Sequence, residues 1–357
     1  MKSSLMMLYF QLRSMPRRRA FTLIELVVVL ALVGILTHLL VNEFSRFHAR
    51  GMRDAADSHL AAIRAAVAGD PDARDSTGAR IREGFIADMG RAPRAIRIDS
   101  DDPTSPLSLR ELWERPADAD DFAMRPATAA NLVAGCESAV DPYVYVPCGW
   151  RGPYIRLPLN QTRLRDPWGN PVETPDSAGS ARLFGTSTNS SATISEGEAI
   201  AWVRHLGADG RDDSLDPAGA DRSADDADRW CRIDSDSDEP RETRLLVTAR
   251  VLDANGCADA ASFGRTVTGI LYSPCGSAIT AAVETASVPA GASVNLRFGN
   301  LTPGTRVLRV RLDGIAASDD GAAVVPPLLG VVHSLRLQPG DNSFVETFRT
   351  DSQVAAP

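Results

Sequence analysis

The sequence lacks the short patterns that announce catalysis. It contains no G-x-S-x-G elbow, no H-E-x-x-H helix and no phosphate-binding glycine loop, and its five histidines (His38, His48, His59, His205 and His333) are scattered along the chain. With no acid, base and nucleophile drawn together by any motif, the expectation is a protein that is not an enzyme. No cysteine pair has C-x-x-C spacing, so the usual zinc signal is missing. A basic balance is missing too. The formal net charge of -8 disfavours nucleic acid as the main partner, because a phosphate backbone selects a basic face.

The five cysteines, Cys136, Cys148, Cys231, Cys257 and Cys275, all follow the one long apolar run. Cys136 lies close to Cys148 in sequence, and Cys257 close to Cys275. In an exported segment this allows two local disulfides with Cys231 left over; buried reduced thiols are the alternative.

What the sequence does have is concentrated at its amino end. Its 357 residues, 44% apolar, exceed one ordinary domain and suffice for two cores. Its charge is uneven. The first twenty residues are basic, through Lys2, Arg13, Arg17, Arg18 and Arg19, whereas residues 209–239 are heavily acidic. Residues 21–41 read FTLIELVVVLALVGILTHLLV, long enough to span a bilayer as a helix. The arginines before it would hold that end in the cytoplasm and place the rest outside the inner membrane. A cleaved secretory signal fits less well: the run is longer than a signal core, and no small-x-small site follows it. Glu25 also stands inside the run, and an acid at membrane depth marks a functional site.

The segment R-R-R-A-F-T-L-I-E-L-V-V-V-L, residues 17–30, resembles the processing motif of type IV prepilins and type II secretion pseudopilins. The resemblance implies that a prepilin peptidase cuts between Ala20 and Phe21 and that the new amino group of Phe21 is methylated. It also implies that Glu25 pairs with a neighbouring subunit's amino terminus during assembly. A carboxylate and an ammonium in lipid each need an opposite charge, which is consistent with that role. One departure is Ala20, where the family has glycine; slower processing is expected. Met15 is an alternative start to Met1.

The helix is expected to continue beyond the bilayer to about Ala68, with Phe44, Phe47, Met52, Ala55, Leu60, Ile63 and Val67 on one apolar face, until Gly69-Asp70-Pro71 stops it. Downstream, Ser108 to Trp113 reads as a short helix. The run G-W-R-G-P-Y-I from Gly149 and the turn D-P-W-G-N-P from Asp166 follow. These segments, with L-G-A-D-G from Leu206 and D-A-D-R-W from Asp226, resemble in order the head of the major pseudopilin of type II secretion. That resemblance implies a structural calcium ion held by Asp209, Asp226 and Asp228 with the Leu206 carbonyl, oxygen ligands of the kind calcium takes. A solvated acidic loop is the plain alternative.

After a polar connector, short β-rich runs alternate with Gly and Pro-Gly punctuation, which predicts an all-β sandwich. The expected architecture is α+β. It comprises a cleaved leader (1–20), a transmembrane and amphipathic spine helix (21–68), a small pseudopilin-like head (69–234) and a carboxy-terminal β-sandwich (240–357). The expected role is a structural subunit of a type II secretion pseudopilus. It would be single-pass in the bacterial inner membrane with its heads in the periplasm, meeting other pilin or pseudopilin subunits, prepilin peptidase and the inner-membrane secretion platform. A minor type IV pilin with an adhesive or tip β domain is the first alternative. A membrane-anchored periplasmic binding protein or enzyme is the second.

Overall fold

A computed structural model of the chain describes residues 23–70, 72–74, 76, 84–174, 184–185, 194–205, 229–234, 242–253, 255–259, 264–289, 293–313 and 328–349. Helix α1, Leu23–Ala68, is unbroken and about 70 Å long at about 1.5 Å per residue. It ends where the sequence predicts: Gly69 turns left-handed (φ 89°) and donates back to Ala65 O at 2.9 Å. The chain divides into residues 1–53 and 54–357.

Within the second unit, the last turns of α1 bury Ala56, Leu60, Ile63 and Val67, at steps of four, three and four. This corrects the expected face at its amino-terminal side. Ala55 is exposed, and Phe44 and Phe47 are 70% and 76% exposed, so the face that buries begins only at Ala56. Leu60, Ile63 and Val67 enter a core with Phe85 and Met89 of α2 (Phe85–Met89), Leu107, Leu112, Ile200, Val203 and Ile233.

The head is built of short pieces. Strands β1 (Ile96–Arg97), β2 (Leu107–Ser108) and β5 (Glu173–Thr174) form one small antiparallel sheet. β3 (Ala123–Ala127) and β4 (Asp141–Cys148) form a ribbon, and β6 (Phe184–Gly185), β7 (Trp202–His205) and β8 (Arg229–Arg232) a third sheet. The expected helix at Ser108–Trp113 is instead β2 followed by a 3-10 turn, Arg110–Leu112. Ser108 is drawn into the sheet by pairing with Ile96, leaving too few residues for an α-helical turn.

The head motifs around Glu111, Trp150 and Asp166 are fastened by hydrogen bonds. Glu111, 2% exposed, accepts from Arg91 at 2.7 and 2.9 Å and from Arg94 at 3.0 and 3.1 Å; the Arg94 backbone N–H donates to it at 2.8 Å. Trp150 donates to the Glu111 carbonyl at 2.9 Å, and the Tyr154 hydroxyl to the Asp88 carboxylate at 3.0 Å. Asp166 closes its turn by accepting the Asn170 N–H at 2.7 Å.

The carboxy-terminal region is the expected sandwich. One sheet has the order β11-β10-β13-β14 and the other β12-β9-β15. The strands are β9 (Thr243–Leu252), β10 (Thr266–Cys275), β11 (Ala278–Ser287), β12 (Ser293–Leu301), β13 (Gly304–Leu312), β14 (Leu328–Leu337) and β15 (Asp341–Arg349). Alternation sorts their side chains. Leu245, Val247, Ala249 and Val251 of β9 face Val267, Leu271, Leu308 and Val310 across the core.

Sandwich and head interlock. Val144, Val146 and Cys148 on the inner face of the β3–β4 ribbon pack on Ile270, Tyr272, Ile279 and Val307. The fully buried Arg306 donates to Ala87 O at 3.3 Å, and also to the Thr302, Pro303 and Thr305 carbonyls. Its guanidinium thus satisfies a carbonyl in the last turn of α2 that the helix itself cannot. Gly90 and Gly304 make the approach possible. Both have positive φ (69° and 126°), and a Cβ on either would fall within 3 Å of Pro274 O or Ala87 Cα respectively.

Candidate functional site

Two features stand out, one on each side of the division at Arg53. On the first, every residue of α1 from Leu23 to Val41 is exposed. Leu23 is 81% exposed, Ile24 71% and Leu40 68%. A helix apolar all round and covered by none of the described residues needs lipid or other helices around it, and this one is long and apolar enough to cross a membrane. Within that stretch Glu25 is the sole acid, in the first turn of the helix and on its exposed surface. Thr37 turns its hydroxyl back to Val33 O at 2.7 Å and so hides its polarity in the helix. Glu25 differs from Thr37 in carrying a full charge, which a hydrogen bond within its own helix does not remove and which lipid opposes.

The second feature was not legible in the sequence. His59 of α1 and His205, the last residue of β7, meet with Nδ1 and Nε2 3.0 Å apart and their rings stacked, 5.0 Å between centroids. His205 is 1% exposed, and its Nδ1 is buried with no hydrogen-bond partner among the described residues. Burial pushes the His205 imidazole down to about 3, with repulsion from His59 adding to the shift. Burial also lowers His59, against an opposing pull from Asp166. A separation of 146 residues hides this pair from any local motif.

Of the residues singled out in the sequence, Glu25 lies on the described helix. Ala20, Phe21 and the four expected calcium ligands, Leu206, Asp209, Asp226 and Asp228, lie outside the described residues. Among the described residues no group of three or more His, Cys, Asp or Glu side chains could hold a metal. The expected disulfides are not formed: Cys136, Cys148, Cys257 and Cys275 are all thiols. The geometry explains both cases. Cys136 Sγ lies 3.7 Å from Ala281 O and Cys148 Sγ 3.9 Å from Ser277 O. Those carbonyls are four residues apart on an extended chain, about 13 Å, too far for one bridge. Cys257 follows β9, whereas Cys275 ends the ten-residue β10, about 30 Å along from the loop that joins the two strands.

Residues 15–41 match the Prokaryotic N-terminal methylation motif. The Type IV major pilin protein PilA of Myxococcus xanthus (strain DK1622) is 44% identical over 48 residues, 13% of this chain and 22% of that pilin. The match therefore spans about a fifth of the relative's length. No solved structure matches the chain. The chain carries the amino-terminal signal of type IV pilins and pseudopilins, and it carries it on a helix long enough to anchor it in a membrane.

The histidine pair gives a pH dependence with a definite sign. His205 is neutral in the folded protein well below pH 6.5, whereas an unfolded chain takes up its proton near 6.5. Its contribution is therefore complete above about pH 6.5 and is lost as pH falls from there towards about 3. Urea midpoints should drop between pH 7.5 and 5, and His205→Gln should flatten that drop. An equal drop in the variant would place the acid sensitivity elsewhere.

Proposed function

We propose that this chain is a structural subunit of a type II secretion pseudopilus, extracted from the inner membrane and packed helix against helix into a periplasmic fibre that assists export of folded proteins. One observation carries the reading: a methylation motif that includes Phe21 and Glu25, on a helix whose apolar surface is wholly exposed. The peptidase removes residues 1–20 and exposes the Phe21 amino group. Glu25 of one subunit then accepts that group from its neighbour, with the inner-membrane platform supplying the extraction. The protein's work is structural and not catalytic.

A minor type IV pilin is the second reading. It is favoured by the similarity to a type IV pilin over 48 residues and by the sandwich locked to the head through Arg306. A second rigid body on every subunit would crowd a helical fibre, so either reading points to a specialised subunit.

Intact-mass spectrometry of the protein from its own membrane tests the assignment. The expected species begins at Phe21 and carries one added methyl group. A mature chain that still begins at Met1 or Met15, or that begins after Val41, contradicts it.

Calcium belongs to the same proposal. The carboxylates between Leu206 and Trp230 repel one another, and an oxygen-seeking cation relieves that repulsion. At a hundredfold excess over Kd it stabilises the folded state by about 2.7 kcal/mol. The chain in detergent should melt higher in millimolar calcium than in chelator, and Asp209→Ala should abolish the difference. Identical curves would make the stretch a solvated acidic connector.

A further inference from the structure

In a chain of net charge -8, one face runs the other way. The sheet β12-β9-β15 buries one side in the sandwich core and turns the other outward. Outward on β9 stand Arg244, Leu246, Thr248 and Arg250; on β12, Ser293, Asn295 and Arg297; on β15, Asp341, Ser343, Val345, Thr347 and Arg349. These outward positions hold four arginines against one acid. Arg244 is shared with Glu242, at 2.6 Å. Among the described residues, Arg250 and Arg297 have no ion-pair partner.

The face also has a cavity. About 460 Å³ of space opens at its end, lined by Arg244, Leu246, Arg297, Gly299, Asp341 and Ser343. Its opening has a backbone cause. The β9–β12 register shifts between Phe298 and Leu301, Asn300 is left-handed (φ 52°), and the position of a Cβ on Gly299 is empty space. Arg297 sits opposite Leu246, so Arg244 is its diagonal neighbour, about 7–8 Å away. Alternate side chains of an extended polypeptide are about 6.6 Å apart on one side, close to that diagonal spacing.

We propose that this face binds an extended acidic segment of a partner protein, its carboxylates at alternate positions meeting Arg297, Arg244 and Arg250. The proposal rests on the sandwich alone and holds whichever fibre the chain joins. Guanidinium forks are suited to carboxylates. β12 is an edge strand of its sheet, so an added strand would find main-chain partners there. The exposed Leu246 and Val345 lie among the charges and would contact the apolar parts of such a segment. Nucleic acid fits less well. The outward positions of these three strands carry no aromatic ring on which a base could stack, and Asp341 and Glu242 at the cavity end would repel phosphates.

The test uses the full chain in detergent and a fluorescent ten-residue peptide of alternating glutamate and threonine. Binding should weaken with salt. Arg250→Glu and Arg297→Glu should each weaken it about tenfold or more, the scale of one lost charge pair. Both side chains are exposed, so melting temperatures should not move. Three results would overturn the proposal. One is no binding of the glutamate peptide. The second is equal binding of an alternating lysine and threonine peptide, or tighter binding of oligothymidylate. The third is self-association of Arg297→Ser without any peptide affinity in the parent, which would make these arginines guards against edge pairing.

Discussion

The rest of this structure depends on one constraint: a carboxylate, Glu25, fixed on a helix whose surface from Leu23 to Val41 is apolar and uncovered. A charged side chain at membrane depth costs on the order of 3 kcal/mol, less near a helix end where it can reach the interface. The apolar surface fixes where the helix can reside, in lipid or among other helices. The carboxylate then makes the second of these more favourable than the first once a cation is supplied. In the proposed assembly, a neighbouring subunit's amino terminus, freed at Phe21 four residues upstream, would be such a cation. On that proposal, processing, insertion and assembly would be chained to one another through a single charge.

Beyond the membrane stretch the same helix does different work. From Ala56 onward it turns an apolar face inward and gives Leu60, Ile63 and Val67 to the head core, so the two halves of α1 obey opposite rules within one continuous element. The head passes that rigidity on. Glu111 draws Arg91, Arg94 and Trp150 into one network, and Arg306 joins the sandwich to the end of α2. Burial lowers the Arg306 guanidinium to about 10, which still leaves it charged near neutral pH. A buried cation surrounded by carbonyls is a costly fixture unless its geometry is complete, so it favours one docking pose over its alternatives. A sandwich docked in this way extends the head as one body, suited to presenting the arginine face at a fixed orientation.

Much of this was legible in the sequence where the signal is local. The long helix, its stop at Gly69 and the all-β sandwich after the polar connector follow from periodicity and turn residues. Strand β15 has a weaker local signal, since it opens on Asp341-Asn342-Ser343; its partner is distant in sequence, β9, alongside which it runs parallel over nine residues. The β3–β4 ribbon was missed for a similar reason. Pro126, Pro142 and Pro147 argue against strands, yet here they are tolerated in a two-stranded ribbon with few ladder bonds to lose. Proximity in sequence misled for the cysteines, since a strand carries neighbours apart at about 3.3 Å per residue. The His59–His205 contact and the arginine face are products of topology, and no local pattern encodes either.

The central claim is that the Glu25 charge serves assembly and not insertion. Its most direct measurement compares Glu25→Leu and Glu25→Gln with the parent in the native host, scoring membrane-inserted protein and fibre-incorporated protein separately. Both variants should insert at least as well as the parent, because the charge only opposes lipid. Incorporation should fall by about tenfold or more in each, the size of one buried ion pair left half-made. Normal incorporation of the leucine variant would contradict the account, and so would a loss confined to insertion.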